Sequence, residues 1–225
     1  MKIEIKNVTK TYPRKSGEAN FFYAVKETSF NISEGSLSVI LGRSGSGKST
    51  LLNMIGGLLK PTSGEILYDN KNIFDFNDKE LSVFRNKNIG MIPQVQSVLP
   101  NLTVFENVML PYALYKKENT VGEYADELLK MTGIFDLKNV YASDLSGGEM
   151  RRVAIARALI NKPSIILGDE PTADLDEENT EKVFEIFKKT AQQGTTVLLV
   201  THETDAKKYS DCVYKMQSGE LSKET

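Results

Sequence analysis

The sequence feature that most constrains this chain is the glycine-rich run Gly42-Arg43-Ser44-Gly45-Ser46-Gly47-Lys48-Ser49, which fits the pattern G-x-x-x-x-G-K-[ST]. The run follows the apolar segment Leu37 to Leu41 and opens a predicted helix, Lys48 to Leu58, that Lys60-Pro61 stops. Because glycines lack Cβ atoms, backbone N–H groups and the helix N-terminus can point at phosphate oxygens. This context favours a nucleotide phosphate site over a flexible glycine-serine turn. Lys48 is expected to reach the β- and γ-phosphates, and Ser49 to supply a hydroxyl to magnesium.

Short apolar runs alternate with helical stretches after this loop. Ile165 to Leu167 and Val197 to Val200 have the composition of strands buried on both faces of a parallel sheet. Between them, the stretch from Glu177 to Gln193 places Val183, Ile186 and Phe187 on one helical face. These patterns predict an α/β core.

The first part of the chain has a different pattern. Ile3, Ile5 and Val8 predict an edge strand, and a second strand from Ala24 to Ile32 follows a polar loop from Pro13 to Asn20. Two neighbouring strands with such a short connection are typical of antiparallel pairing.

A helical insert is predicted in the middle of the chain. Thr103 with Glu106 has capping-box spacing, Thr120 with Glu123 offers a second helix start, and helical signals continue to about Ala142. We therefore predict one domain, with a catalytic core and antiparallel β-subdomain formed by residues 1–93 and 146–225 and a helical subdomain at 94–145.

Composition sets limits on the partners of this chain. Its 225 residues suit one large α/β domain, and a formal net charge of -2 gives no basic field that would attract nucleic acid, so none is expected. Cys212 is the only cysteine, which excludes an internal disulfide. The N-terminus lacks the apolar core of a secretion signal, and no later stretch is apolar enough to span a bilayer. Any membrane role is therefore expected to pass through another chain.

Two carboxylates end the predicted strand at Ile165 to Leu167. Asp169 is expected to hold magnesium, and Glu170 to orient and polarise the attacking water as general base. Open α/β sheets place ligands at this end of their strands. The alternative is a solvated turn, which the neighbouring phosphate loop disfavours.

Two further polar residues follow predicted strands. His202, the single histidine, comes just after Thr201 and could donate a hydrogen bond to a γ-phosphate oxygen. Gln94 follows the strand Ile89 to Ile92 and could bring an amide oxygen to magnesium and an N–H to the water. Alone, either residue has an ordinary structural explanation.

A second glycine cradle is predicted at Leu145-Ser146-Gly147-Gly148-Glu149. It precedes a helix with Val153, Ala156, Leu159 and Ile160 on one side, so its amides could hold another phosphate. An ordinary helix cap formed by Ser146 and Glu149 explains the same residues.

The order of these motifs resembles the ABC ATPase family over essentially the whole chain. The motifs are GRSGSGKST, which includes Thr50, then Gln94, LSGGEMRRVAIARAL, IILGDEP, Ala173-Asp174-Leu175-Asp176 and His202. The resemblance implies a P-loop nucleoside-triphosphatase (RecA-like) core with a mainly parallel sheet, an antiparallel β-subdomain and an inserted helical subdomain. ATP and Mg²⁺ are the cofactors it implies.

The resemblance also implies an arrangement of subunits. Two cassettes pack head to tail, so that Ser146-Gly147-Gly148 of one subunit closes over the γ-phosphate held by Lys48 of the other. Tyr12 is expected to stack on adenine, and Ala173 to Asp176, including Asp174, to run along the interface. Gln94 and the helical lobe are expected to sense a membrane permease whose coupling helix docks in the groove between the lobes.

Three further segments resemble one group within the family. This group comprises LolD-like lipoprotein-release and MacB-like macrolide-export cassettes, with BceA-type cassettes as near relatives. The similar segments are the loop between the first strands, Asn101 to Val108 followed by Leu110-Pro111, and Pro171 to Asp176. This resemblance implies that the chain drives export or mechanotransmission through a permease with a large extracytoplasmic domain, and that it lies at the cytoplasmic face of the inner membrane. An FtsE-like regulator of an extracellular hydrolase and a soluble ABC ATPase acting on nucleic acid or ribosomes are the alternatives.

Overall fold

The structure is a computed structural model and describes residues 1–13, 21–115 and 121–224. Most of the polar loop predicted from Pro13 to Asn20 lies outside the described residues, as does Thr120, the predicted start of a second helix in the insert. No helix in the described ranges is both long enough and apolar enough to cross a membrane.

The described residues form ten strands and six α-helices. The strands are β1 (Ile3–Pro13), β2 (Phe21–Ile32), β3 (Leu37–Leu41), β4 (Ser63–Tyr68), β5 (Lys71–Asn72), β6 (Ile89–Ile92), β7 (Ile165–Asp169), β8 (Thr196–Thr201), β9 (Cys212–Gln217) and β10 (Glu220–Lys223). The α-helices are α1 (Lys48–Ile55), α2 (Asp78–Asn88), α3 (Val104–Ala113), α4 (Gly122–Met131), α5 (Gly147–Leu159) and α6 (Glu177–Gln192).

The larger sheet confirms the predicted α/β core. Its strand order is β10-β9-β3-β8-β7-β6, and all neighbours are parallel except β9 and β10. Every residue of β3, β7 and β8 is buried, as their unbroken apolar runs predicted. The parallel strands end at one edge of the sheet, which brings the loops after Leu41, Asp169 and Thr201 together.

The smaller sheet corrects the prediction of an edge strand at the N-terminus. It is antiparallel with the order β2-β1-β4-β5, so β1 lies in its interior. The edge assignment was wrong because β4, a short strand far along the chain, pairs with β1 from Ile3↔Tyr68 to Thr9↔Ser63. Antiparallel pairing of β1 with β2 is confirmed.

Helix α1 lies between the two sheets and buries Leu51, Leu52, Met54 and Ile55. It ends three residues before the predicted Leu58. The reason is Gly57, which adopts a left-handed conformation (φ 65°) and donates its N–H to the carbonyl oxygen of Met54. A glycine in this conformation ends a helix before the downstream proline can.

The middle of the chain is helical, as predicted. α3 begins at a capping box formed by Thr103 and Glu106, and α3, α4 and α5 pack into one hydrophobic core with α6 on one face of the larger sheet. α1, α2 and the smaller sheet form the second core on the other face. Where the boundary between core and helical subdomain lies stays a prediction.

Candidate nucleotide site

A cleft of about 910 Å³ lies at the carboxyl edge of the parallel sheet, between the glycine-rich loop and the smaller sheet. Most residues predicted to bind nucleotide line it together. They are Tyr12, Arg43, Ser44, Gly45, Gly47, Lys48, Ser49, Thr50, Gln94, Glu170 and His202. Gly42 and Ser46 instead face an adjoining cleft on the other side of the loop, and Asp169 lies buried beneath.

The glycine-rich loop is held in shape by backbone contacts that exclude larger residues. Gly47 has φ 107°, and a Cβ at this position would lie 2.2 Å from the carbonyl oxygen of Ala24. Only glycine fits here. The Nζ of Lys48 donates to the carbonyl oxygens of Gly42 (2.7 Å) and Arg43 (3.2 Å), so the ammonium group lies over the loop at the head of α1. This arrangement is a cationic cradle of the type that binds phosphate.

Asp169 has the properties of a cation ligand. It is buried, and its Oδ1 atom has no hydrogen-bond partner. Burial raises the pKa of Asp169, while the Ser49 hydroxyl and the charge of Lys48 act in the opposite direction. An orphaned carboxylate oxygen beside a hydroxyl is the kind of hard oxygen pair that Mg²⁺ takes in addition to substrate phosphates. Asp169 and Ser49 therefore fit the predicted metal.

Glu170 is held rigidly where β7 ends. It adopts a left-handed backbone conformation (φ 47°) and donates its N–H to the carbonyl oxygen of Val200. Its Oε2 atom accepts from Thr201 Oγ1 at 2.7 Å and lies 3.1 Å from His202 Nδ1. Lys48 Nζ lies 3.8 Å from Oε1. Strain at a non-glycine residue with this much support is typical of a functional position.

Thr201 contacts the site residue Glu170, and this contact was not predicted from the sequence. It is fully buried at the end of β8, and its hydroxyl orients the Glu170 carboxylate. Its place directly before the predicted His202, at the end of a buried parallel strand, is the signal that could have found it. His202 itself contacts Glu170, and its predicted bond to a γ-phosphate oxygen stays a prediction.

An aromatic wall closes the far end of the cleft. Tyr12 of β1 stacks on Phe22 of β2, with ring centroids 5.7 Å apart and an angle of 29° between the planes. Phe22 also lines the cleft and was not predicted. Flat aromatic faces suit a nucleobase, and adenine stacking on Tyr12 stays a prediction.

A second cleft, of about 530 Å³, contains the second glycine cradle. It is lined by Gln96, Ser146, Gly147, Gly148, Glu149, Arg152, Asp174, Leu175, Asp176 and Asn179, none of which lines the nucleotide cleft. The helix-cap interpretation is correct: Ser146 and Glu149 form a full capping box at the start of α5. The cap uses the N–H groups of Ser146 and Glu149, so it does not exclude a ligand on the amides of Gly147 and Gly148.

The segment Ala173 to Asp176 connects the two clefts. Ala173 lines the nucleotide cleft, whereas Asp174 (φ 68°) lines the second one. Asp174 therefore belongs with the second cradle of its own chain and not with the glycine-rich loop.

The fold and the site together define a P-loop nucleoside triphosphatase, with the loop between a parallel strand and a helix and carboxylates at the end of a neighbouring strand. The family model described as "ABC transporter" matches residues 25–173. The chain belongs to that family: it is an ATP-binding subunit of an ABC transporter and an ATPase.

Several relatives cover nearly the whole chain. An uncharacterized ABC transporter ATP-binding protein of Methanocaldococcus jannaschii, MJ0796, is 43% identical over 99% of this chain and 96% of its own. The lipoprotein-releasing system ATP-binding protein LolD of Buchnera aphidicola subsp. Schizaphis graminum is 39% identical, covering 96% and 93%. A dimeric structure of MJ0796 superposes with a TM-score of 0.89 at 42% identity, covering 98% of both chains, and another structure of that cassette holds ADP and Pi.

Proposed function

We propose that two copies of this chain close head to tail around two ATP molecules and that this closure drives a separate membrane permease. The observation that carries the proposal is the presence of two phosphate cradles, at Gly42 to Ser49 and Ser146 to Gly148, in clefts that share no lining residue. We infer that each nucleotide contacts the first cradle of one chain and the second cradle of the other. The dimeric structure of MJ0796 supports the same arrangement here.

Within each composite site, the roles follow from the chemistry of the side chains. Lys48 and the loop amides bind the β- and γ-phosphates, and Tyr12 holds the base. Ser49, Asp169 and Gln94 would hold Mg²⁺, which supplies Lewis-acid stabilisation of phosphate charge. Glu170, fixed by Thr201, accepts a proton from the attacking water. His202 donates to the γ-phosphate.

The partner subunit's second cradle completes the site. Ser146, Gly147 and Gly148, with Glu149 as their cap, would place the positive end of α5 against the γ-phosphate held by the other chain. Asp174 then lies at the interface between the two subunits. Hydrolysis removes the shared phosphate contact and releases the dimer.

We further propose that the core comprises residues 1–93 and 146–225 and that the helical subdomain comprises residues 94–145. A permease would dock between these two parts. A groove of about 250 Å³ runs between α2, α3 and α5, bounded by Leu58, Arg85, Pro111 and Arg157. Leu58 is 57% exposed there. A short amphipathic helix of a partner is the ligand that such a groove takes.

Similarity to LolD supports a partner permease with a large extracytoplasmic domain. This permease would export or extrude a substrate, or transmit motion across the membrane. The present chain would be peripheral, at the cytoplasmic face of the inner membrane. Lipoproteins, macrolides or antimicrobial peptides are the substrates proposed. Affinity purification from the native membrane, followed by identification of the co-purifying permease, decides among them. A hydrolase-linked partner would replace this proposal by the FtsE-like one.

Leu58→Glu is expected to abolish permease co-purification, because a charge replaces the exposed apolar contact in the groove. The basal ATPase rate and the thermal midpoint should stay unchanged, since Leu58 touches neither cleft. Met131→Glu provides the control, because Met131 is also an exposed apolar residue (44%) but lies outside this groove. Full permease retention by Leu58→Glu would show that the docking surface lies elsewhere.

A further inference from the structure

Arg151 is a buried charged residue in the first turns of α5. Only 6% of its surface is exposed, although burying a guanidinium is costly unless its hydrogen bonds are satisfied. Its Nη1 atom donates to the carbonyl oxygen of Pro93 at 2.8 Å, and its Nη2 atom donates to that of Gln94 at 3.0 Å. The planar guanidinium thus holds two successive carbonyls at once.

These two carbonyls bracket the residue whose side chain lines the nucleotide cleft. Gln94 is the second residue after β6, so it lies beyond the end of the strand. Pro93 has a ring-fixed φ and no N–H, so it contributes no hydrogen-bond donor of its own. The Arg151 fork therefore holds the backbone on both sides of the Gln94 Cα atom in a fixed position relative to α5.

The other end of this connection is the second cradle. Arg151 lies five residues after Ser146 on the same helix, and its Nη2 atom lies 4.0 Å from Oδ2 of Asp174, which lines the second cleft. The Asp174 side chain is 64% exposed, so this ion pair contributes little energy. The hydrogen bonds from Arg151 to the carbonyls of Pro93 and Gln94 are therefore the main link between α5 and the Gln94 segment.

The other two guanidinium groups of α5 have different partners. Arg152 donates to Asn179 Oδ1 at 2.8 Å, within the second cleft. Arg157 donates to the carbonyl oxygen of Ser97 at 2.7 Å and to its hydroxyl. Among these three, Arg151 alone contacts a residue that lines the nucleotide cleft.

We propose that Arg151 is a positioning residue for ATP hydrolysis, holding Gln94 in a fixed relation to α5 so that Gln94 and the Ser146 to Gly148 cradle move as one unit. One helix then ties the site in its own subunit to the cradle offered to the partner. The inference rests on the proposed roles of Gln94 and of the cradle.

Arg151→Gln is expected to lower kcat about tenfold, the effect of losing a hydrogen bond to a charged group, and to change ATP affinity less than about threefold. ATP affinity is preserved because the glycine-rich loop and Lys48 are untouched. Arg151→Lys should recover part of kcat, since an ammonium is still a cationic donor but lacks the planar fork that spans two successive carbonyls. Steady-state ATPase kinetics and nucleotide titrations on the full chain measure both quantities.

A double-mutant cycle with Gln94→Ala tests whether Arg151 acts through Gln94. If it does, Arg151→Gln has no further effect on kcat in the Gln94→Ala background. An equal loss in both backgrounds overturns the inference. A Gln94→Ala variant with wild-type kcat overturns instead the proposed role of Gln94, so the two failures are distinguishable.

Arg157→Gln is the matched control for a purely structural effect. It removes a guanidinium that lies on the same helix and donates to the same segment, residues 93–97. It should lower the thermal midpoint about as much as Arg151→Gln does. Its effect on kcat should add to that of Gln94→Ala. If Arg157→Gln also loses its effect in that background, the segment as a whole positions Gln94, and the assignment to Arg151 is wrong.

Discussion

Glu170→Gln is expected to bind ATP with near wild-type affinity, to hydrolyse it about 10²–10⁴ times more slowly, and to accumulate as an ATP-bound dimer. The amide keeps the size of the carboxylate and can still accept from Thr201, but it cannot take a proton from water. The phosphate and magnesium ligands remain in place. Sedimentation with ATP and magnesium, together with a phosphate-release assay, measures both effects.

Glu203→Gln is the matched control for this variant. Glu203 is a neighbouring carboxylate that accepts from Thr172 Oγ1 at 2.8 Å, and it does not line the nucleotide cleft. It should hydrolyse ATP at the wild-type rate and form no trapped dimer. Glu170→Gln that stays monomeric with ATP and hydrolyses at the wild-type rate would remove Glu170 from its proposed role.

Lys48→Ala is expected to weaken ATP binding by about 10²-fold or more. Lys48 is the buried cation at the head of α1, and hydrogen bonds to charged groups contribute about 1.5–3 kcal/mol each. Loss of its contacts to two phosphate groups therefore gives at least this factor, since about 1.4 kcal/mol corresponds to tenfold. A calorimetric titration with ATP measures the affinity.

Lys79→Ala is a charge-matched control for this titration, because Lys79 is exposed on α2, outside both clefts. Its ATP affinity should equal that of the wild type. An unchanged affinity in Lys48→Ala, with heat of binding as in the wild type, would contradict the assignment of the glycine-rich loop as the phosphate site.

Elements that depend on local pattern could be predicted from the sequence. β3 was predicted as Leu37 to Leu41 and β6 as Ile89 to Ile92, and both are found with these bounds, because an apolar run with a turn signal after it is sufficient. The capping box at Thr103 could likewise be predicted, because its two residues are only three positions apart. The position of β1 in its sheet could not, because it depends on whether a distant segment pairs with it.

The features of the candidate site also fall into those that a local sequence pattern predicts and those that it does not. Motif spacing located the loop, the carboxylates and the second cradle, because each of these combines a strand end or helix start with fixed neighbours. The hydroxyl of Thr201 on Glu170 and the fork of Arg151 on Gln94 were missed. Both join residues more than thirty positions apart, and no local pattern encodes such a contact.

The central claim is that each ATP site combines the glycine-rich loop of one subunit with the Ser146 to Gly148 cradle of the other. Mixing two inactive variants, Lys48→Ala and Ser146→Arg, tests it directly. In a head-to-tail heterodimer, one site carries both changes and the other carries neither. We expect the mixture to regain ATPase activity that neither variant has alone; a mixture as inactive as its components at every ratio would contradict the claim.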